Sequence, residues 1–239
     1  YKGRYLGTFG AMGCFSFQQY KIITSGEGGL VVTNDPILYD RARMQHDCAA
    51  RFWEGVDNRH YDYVISGENY RFSELAAALV WAQRDRLDSI LSRCRAVKNH
   101  IVEGIADVRG LVLQDVPDPG GECGIALAFY TPTADLAKRF AQALNAENIR
   151  CGTIYDNSIP DRHIYANWPF MVSGLAEDRR APWKSPFYKG DVKGYSRDQC
   201  PKSLDYLGRA VMIFIDQYFT REDADMTAEG IRKVAAALL

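Results

Sequence analysis

The chain has 239 residues, 47% of them apolar, and 29 Lys and Arg stand against 30 Asp and Glu for a net charge of −1. That length holds one large domain or two modest ones with a real core. Balanced charge excludes a polybasic nucleic-acid binder, no apolar run approaches the ~18 residues of a membrane span, and no positive-then-apolar leader follows Tyr1, so the chain reads as a soluble, cytoplasmic protein with no membrane or nucleic-acid partner.

The first expected element is a strand at Gly13–Phe17, followed by a second at Gly29–Thr33 that is rich in β-branched residues and closed by Asn34, Asp35 and Pro36. Pro36 suits the first turn of a helix running to about Gln45. Residues 47–72 hold no sustained period and carry Gly55, Asn58, Gly67 and Asn69, the pattern of a long and often functional surface loop. Ser73 is placed as an N-cap, with Glu74 in the first turn. Leu75, Leu79 and Ala82, then Leu87, Ile90, Leu91, Cys94, Val97 and Ile101, recur at helical spacing and predict one long amphipathic helix.

A second block starts near Gly110, with strand candidates at 111–113 and 124–129. Thr133 caps a helix that carries Leu136, Phe140, Ala143 and Leu144 on one face. Residues 155–195 are rich in Pro, Gly, Trp and Tyr and predict irregular structure. Ala210–Phe214 reads as a strand, and Thr220 with Asp223 has capping-box-like spacing at the head of a terminal helix whose inner face is Ile231, Val234, Ala235 and Leu238. Alternating strands and helices argue for the α/β class. Cys14, Cys48, Cys94, Cys123, Cys151 and Cys200 are scattered without a C-x-x-C pair, and the four histidines lack ligand spacing, so reduced thiols and no metal site are expected.

Chemistry concentrates between Ser16 and Gly29, where Lys21 sits in a polar, glycine-bearing turn between two apolar strands. Near a packed sheet such a lysine is partly desolvated, which favours a neutral, nucleophilic amine able to condense with an aldehyde. Ser16 is placed to donate a hydrogen bond to a phosphate, and the glycines let backbone approach a ligand. The plain alternative is a hairpin whose lysine points to water. Plain alternatives also stand for Asn69 as a turn residue, Arg71 as a surface ion-pair partner and His163 as an ordinary histidine. Tyr155, Tyr165, Trp168, Trp183 and Tyr188 supply either packing or a stacking wall for a ligand.

Several blocks occur in the order found in one family. Lys2-Gly3-Arg4 with Gly7-Thr8-Phe9-Gly10, then Ser16 to Gly29 with serine five residues before lysine, resemble its lead-in and its lysine block. Gly67-Glu68-Asn69-Tyr70-Arg71-Phe72-Ser73-Glu74-Leu75, followed by Ala77-Ala78 and Gln83, resembles its "N-Y-R" block. On these residues the chain resembles the DegT/StrS-type sugar aminotransferases of the aspartate-aminotransferase group, which use pyridoxal phosphate.

The resemblance implies a fold type I, pyridoxal-phosphate-dependent transferase of α/β class. Residues 1–105 correspond to a truncated large domain, with few remaining sheet strands and including the long linking helix, and 106–239 to a complete smaller C-terminal α/β domain. It makes Lys21 the lysine that anchors pyridoxal 5'-phosphate as a Schiff base and moves protons between the donor's α-carbon and the cofactor. Ser16 binds the phosphate. Asn69 reaches the phosphate across a homodimer interface with Arg71 in support, and Arg71 and His163 stand on the substrate side. The substrates implied are a keto-sugar or keto-cyclitol and an amino-acid donor, glutamate or glutamine; Gln18-Gln19 is similar to the branch acting on keto-inositols and aminoglycoside precursors. Related dehydratases of nucleotide sugars carry histidine in place of the lysine, so Lys21 argues against them, and a sugar-sensing relative is the non-catalytic alternative. The family's upstream stretch, with its phosphate-binding turn, stacking aromatic and ring-pairing aspartate, has no counterpart here. The expectation is therefore a C-terminal half to two-thirds of an enzyme that is inactive alone.

Overall fold

Local sequence signals set the helix starts. In the computed structural model, which describes residues 1–49, 65–154, 163–168, 172, 184–190 and 196–239, Asp35 caps α1 (Pro36–His46) by accepting from the Ile37 and Leu38 N–H groups at 2.8 and 3.2 Å. Ser73 accepts from the Ala76 N–H at 3.2 Å to open α2 (Glu74–Arg84). Each cap satisfies backbone donors that the first helical turn leaves without a partner.

The chain divides into two units, residues 1–93 with 116–123, and residues 94–115 with 124–239. In the first, β1 (Gly13–Ser16) and β2 (Gly29–Val32) form an antiparallel ribbon with Ser16 opposite Gly29 and Gly13 opposite Val32. Two strands bury little: Phe15, Leu30 and Val31 are exposed. Leu75, Leu79 and Trp81 of α2 are exposed as well, so the apolar stripe read there finds no cover among the described residues.

What the period reads as one helix is two. α2 ends at Arg84, the Arg86 N–H bonds back to the Gln83 carbonyl at 3.0 Å, and α3 (Leu87–Ile105) starts afresh. The tighter three-residue step breaks the ladder, and no glycine or proline marks it. α3 buries Cys94, Val97, Ile101 and Ile105 at helical spacing.

The second unit is built on a four-stranded antiparallel sheet. β3 (Val112–Leu113), β4 (Ala126–Tyr130), β5 (Cys151–Thr153) and β6 (Ala210–Phe214) lie in the order β3-β4-β6-β5. α4 (Ala134–Ala146), capped by Thr133 on the Leu136 N–H, packs on β5 and β6 and against two further helices, α5 (Pro201–Arg209) and α6 (Arg221–Leu238). Phe129 of β4 meets Phe140 of α4 edge to face at 5.4 Å, both fully buried. Burial of each such side chain contributes about 2–3 kcal/mol. The expected capping box is present: Thr220 Oγ1 accepts from the Asp223 N–H at 3.1 Å, and Asp223 accepts from the Thr220 N–H at 2.7 Å. β5 and α5 are additions to the sequence reading. Most of 155–195 lies outside the described residues.

Candidate functional site

The first unit holds Ser16, Lys21, Asn69 and Arg71. β1 ends at Ser16, and the chain then makes a loop from Phe17 to Gly28 before re-entering β2. The Phe17 N–H donates to the Gly28 carbonyl at 2.8 Å, and the Ser25 N–H donates to the Phe17 carbonyl at 3.0 Å, closing the mouth of the loop. Within it a turn places the Lys21 N–H on the Gln18 carbonyl at 2.9 Å. Gln18 also accepts through Oε1 from the Tyr20 N–H at 2.9 Å. Ser16 Oγ accepts from the Gln18 N–H at 3.2 Å, which leaves the hydroxyl proton available to donate outward.

Thr24 ties the far side. Its hydroxyl donates to the Phe17 carbonyl at 2.8 Å and accepts from the Gly26 N–H at 2.9 Å. Its backbone N–H and carbonyl both pair with the side-chain amide of Gln83, at 3.1 and 2.6 Å. Gln83 belongs to the quoted "N-Y-R" block, which is the one signal that pointed to it, but the sequence reading attached no role to it or to Thr24.

Lys21 is exposed, as is Ser16. Partial desolvation of the lysine by a packed sheet is thus not what this structure shows. Among the described residues, the sheet that carries this loop has two strands. The lysine side chain is accessible, and its backbone is pinned on both sides.

Asn69 and Arg71 sit where the chain returns after residue 64. The stretch is held against the end of α1: the Glu68 N–H donates to the Gln45 carbonyl at 2.9 Å, the Cys48 N–H to the Glu68 carbonyl at 3.1 Å, and the Tyr70 N–H to the His46 carbonyl at 2.8 Å. Gly67 is required here, because a Cβ on it would lie 2.0 Å from the Met44 carbonyl oxygen. Asn69 is exposed, and its Oδ1 accepts from the Arg71 N–H at 3.3 Å. Arg71 donates to Asp47 at 2.7 Å, the surface ion pair that its plain reading describes, and that bond raises its pKa. The Tyr70 hydroxyl donates to Glu68, whose carboxylate holds the phenol above its usual range.

Phe72 joins the two segments. Its ring stacks on Phe17 at 6.2 Å and lies against Gly28, so the lysine loop and the Asn69–Arg71 stretch share one packing contact. His163 is exposed and belongs to the second unit. Of the aromatic group, Tyr155 and Trp183 lie outside the described residues. Tyr165 is half-buried, its hydroxyl donating to the Arg197 carbonyl at 2.6 Å and accepting from the Cys200 N–H at 2.9 Å. Among the described residues no group of three His, Cys, Asp or Glu is placed to hold a metal, and no helix is long and apolar enough to cross a membrane.

The sequence model of the DegT/DnrJ/EryC1/StrS aminotransferase family matches residues 1–175. GDP-perosamine synthase of Escherichia coli O157:H7 is 44% identical over 98 residues, 41% of this chain and 25% of that protein. L-glutamine:2-deoxy-scyllo-inosose aminotransferase of Streptomyces kanamyceticus is 35% identical over 146 residues, 57% of this chain and 32% of that protein. Among solved structures, the PLP form of Spr1654 from Streptococcus pneumoniae superposes with a TM-score of 0.73 at 17% identity, over 100% of this chain and 55% of that one. The matched regions thus span a quarter to a third of these two relatives and about half of the solved chain. The structural likeness shows a shared fold.

Proposed function

This chain belongs to the DegT/DnrJ/EryC1/StrS aminotransferase family, and on that premise we propose that the protein transfers an amino group from glutamate or glutamine to a keto-sugar or keto-cyclitol with pyridoxal phosphate as cofactor. The observation that carries the reading is the loop from Phe17 to Gly28, which carries an exposed Lys21 and follows directly on Ser16, whose hydroxyl is exposed and free to donate.

The donor set fits that cofactor. A phosphate needs hydrogen-bond donors, which the Ser16 hydroxyl and the exposed Asn69 amide supply. An aldehyde needs an accessible primary amine, which Lys21 supplies. Bound there, pyridoxal phosphate contributes the aldehyde and an electron-withdrawing ring. The chain's own residues would do the rest: Ser16 and Asn69 would hold the phosphate, Lys21 would hold the cofactor and move a proton through its amine, and Arg71 and His163 would serve the substrate. Asn69 serves the site of a second copy in a homodimer, with 1–105 as the large domain and 106–239 as the small one. The two relatives named for perosamine and scyllo-inosose chemistry support the sugar and cyclitol class.

The test is made on the whole gene product. Incubation with pyridoxal phosphate followed by borohydride should leave a pyridoxyl mass on Lys21 alone, and Lys21→Ala should abolish both the label and amino transfer from glutamate or glutamine. A label on another lysine, or undiminished transfer by K21A, overturns the assignment.

A further inference from the structure

We propose that Gln83 is a positioning residue for Lys21: its side-chain amide, pairing with both backbone groups of Thr24, holds the lysine loop in the geometry that the amine needs. The inference rests on the reading of Lys21 above and extends it to a residue outside the lysine loop.

Gln83 stands one residue before the end of α2, half-buried. Its Oε1 accepts from the Thr24 N–H at 3.1 Å, and its Nε2 donates to the Thr24 carbonyl at 2.6 Å and to the Leu79 carbonyl at 3.0 Å. The amide thus meets Thr24 as a neighbouring strand would, with one donor and one acceptor. Its second N–H is fastened to the helix's own backbone, which fixes the rotamer. Both N–H groups and the oxygen are engaged.

Thr24 is the junction of the loop. Through its hydroxyl it holds the Phe17 carbonyl and the Gly26 N–H, so the backbone pairing with Gln83 fixes a residue that already ties both limbs together. On the other side of Lys21, the Gln18 carbonyl holds the Lys21 N–H. The lysine therefore sits on a short span anchored at residue 18 and residue 24, and the second anchor is attached to α2 through Gln83. Lys21 itself is exposed, so packing does not hold it. Its position depends on its backbone, and small displacements of a reacting group lower rate steeply.

The chemistry selects glutamine. A glutamate has no proton to give to the Thr24 or Leu79 carbonyls, an asparagine is one methylene too short, and a methionine fills the volume with neither donor nor acceptor. Gln83→Met therefore removes the clamp while preserving bulk and helix propensity.

Three readouts on the gene product, for the parent and Q83M, decide the matter. They are amide exchange of the 17–28 peptide against that of 134–146, the rate of borohydride-trapped pyridoxyl label at Lys21, and the affinity for pyridoxamine phosphate, which lacks the aldehyde. Q83M should speed exchange in 17–28 by about tenfold, as expected for loss of a pair of hydrogen bonds, with 134–146 unchanged. Labelling of Lys21 should slow about tenfold, with pyridoxamine phosphate affinity retained. Unchanged loop exchange overturns the clamp; faster exchange with an unchanged labelling rate overturns the positioning role. If Q83M does not fold, Q83E is read by the same contrasts, since it keeps the acceptor and loses the donors. A parent that takes no label at Lys21 overturns the lysine reading itself, and the exchange result still separates that failure from failure of the clamp.

Discussion

The ring of Phe72 occupies the space a side chain on Gly28 would take: a Cβ there would lie 2.3 Å from Cε2 of Phe72. Gly28 also has φ +148, a conformation that L side chains rarely adopt. Phe72 cannot simply withdraw, because Phe17 stacks on it at 6.2 Å. Gly28→Ala should therefore cost about 1–3 kcal/mol, read as a lower denaturant midpoint. In a Phe72→Ala background the space opens and only the φ penalty is left, so the same substitution should cost less. An additive double-mutant cycle would refute the contact.

Lys21→Ala should separate chemistry from stability. The turn is made by backbone, Lys21 N–H to the Gln18 carbonyl, and the side chain is exposed. Thermal unfolding should stay within about 0.5 kcal/mol of the parent while amino transfer is lost. A large loss of stability would mean that the side chain is a structural element.

The acid limb of stability should depend on Asp107. Hydrogen bonds from Arg232 hold its carboxyl down to about 2, against an ordinary 3.8. A lowered carboxylate pKa stabilises the fold above the unfolded value, and that contribution is lost as pH falls through the folded value. Denaturation midpoints should therefore fall between about pH 4 and pH 2, and Asp107→Asn should flatten that part of the profile. The pair is exposed, so the effect is small and should shrink with added salt.

Thiol reactivity should sort by burial. Burial pushes the Cys151 thiol up to about 11, and Cys94 is only 1% exposed. Cys14, Cys48, Cys123 and Cys200 are exposed. At pH 8, iodoacetamide should alkylate those four well before Cys94 and Cys151, as read by peptide mass spectrometry. Early labelling of Cys151 would contradict the packing of β5 against α4.

The elements legible from sequence were those decided within a few residues. Ser73, Thr133 and the Thr220–Asp223 box each meet backbone donors one turn away, and Pro36 fits a first turn, so these residues announce the helix starts. The apolar period likewise marked the faces of α3, α4 and α6. The break between α2 and α3 carries no glycine or proline, and β5 spans three residues, too few for a period. Both escaped the sequence reading for those reasons.

The covalent order of Ser16, Lys21, Asn69, Arg71 and Gln83 settles which chemical groups the site can offer, because donors, acceptors and amines belong to residue types. Where those groups stand is a long-range matter. Gln83 meets Thr24 across 59 positions, and Phe72 meets Gly28 across 44. Such distances depend on how separate segments share space, and the local preferences that shape a helix or a turn carry no information about them.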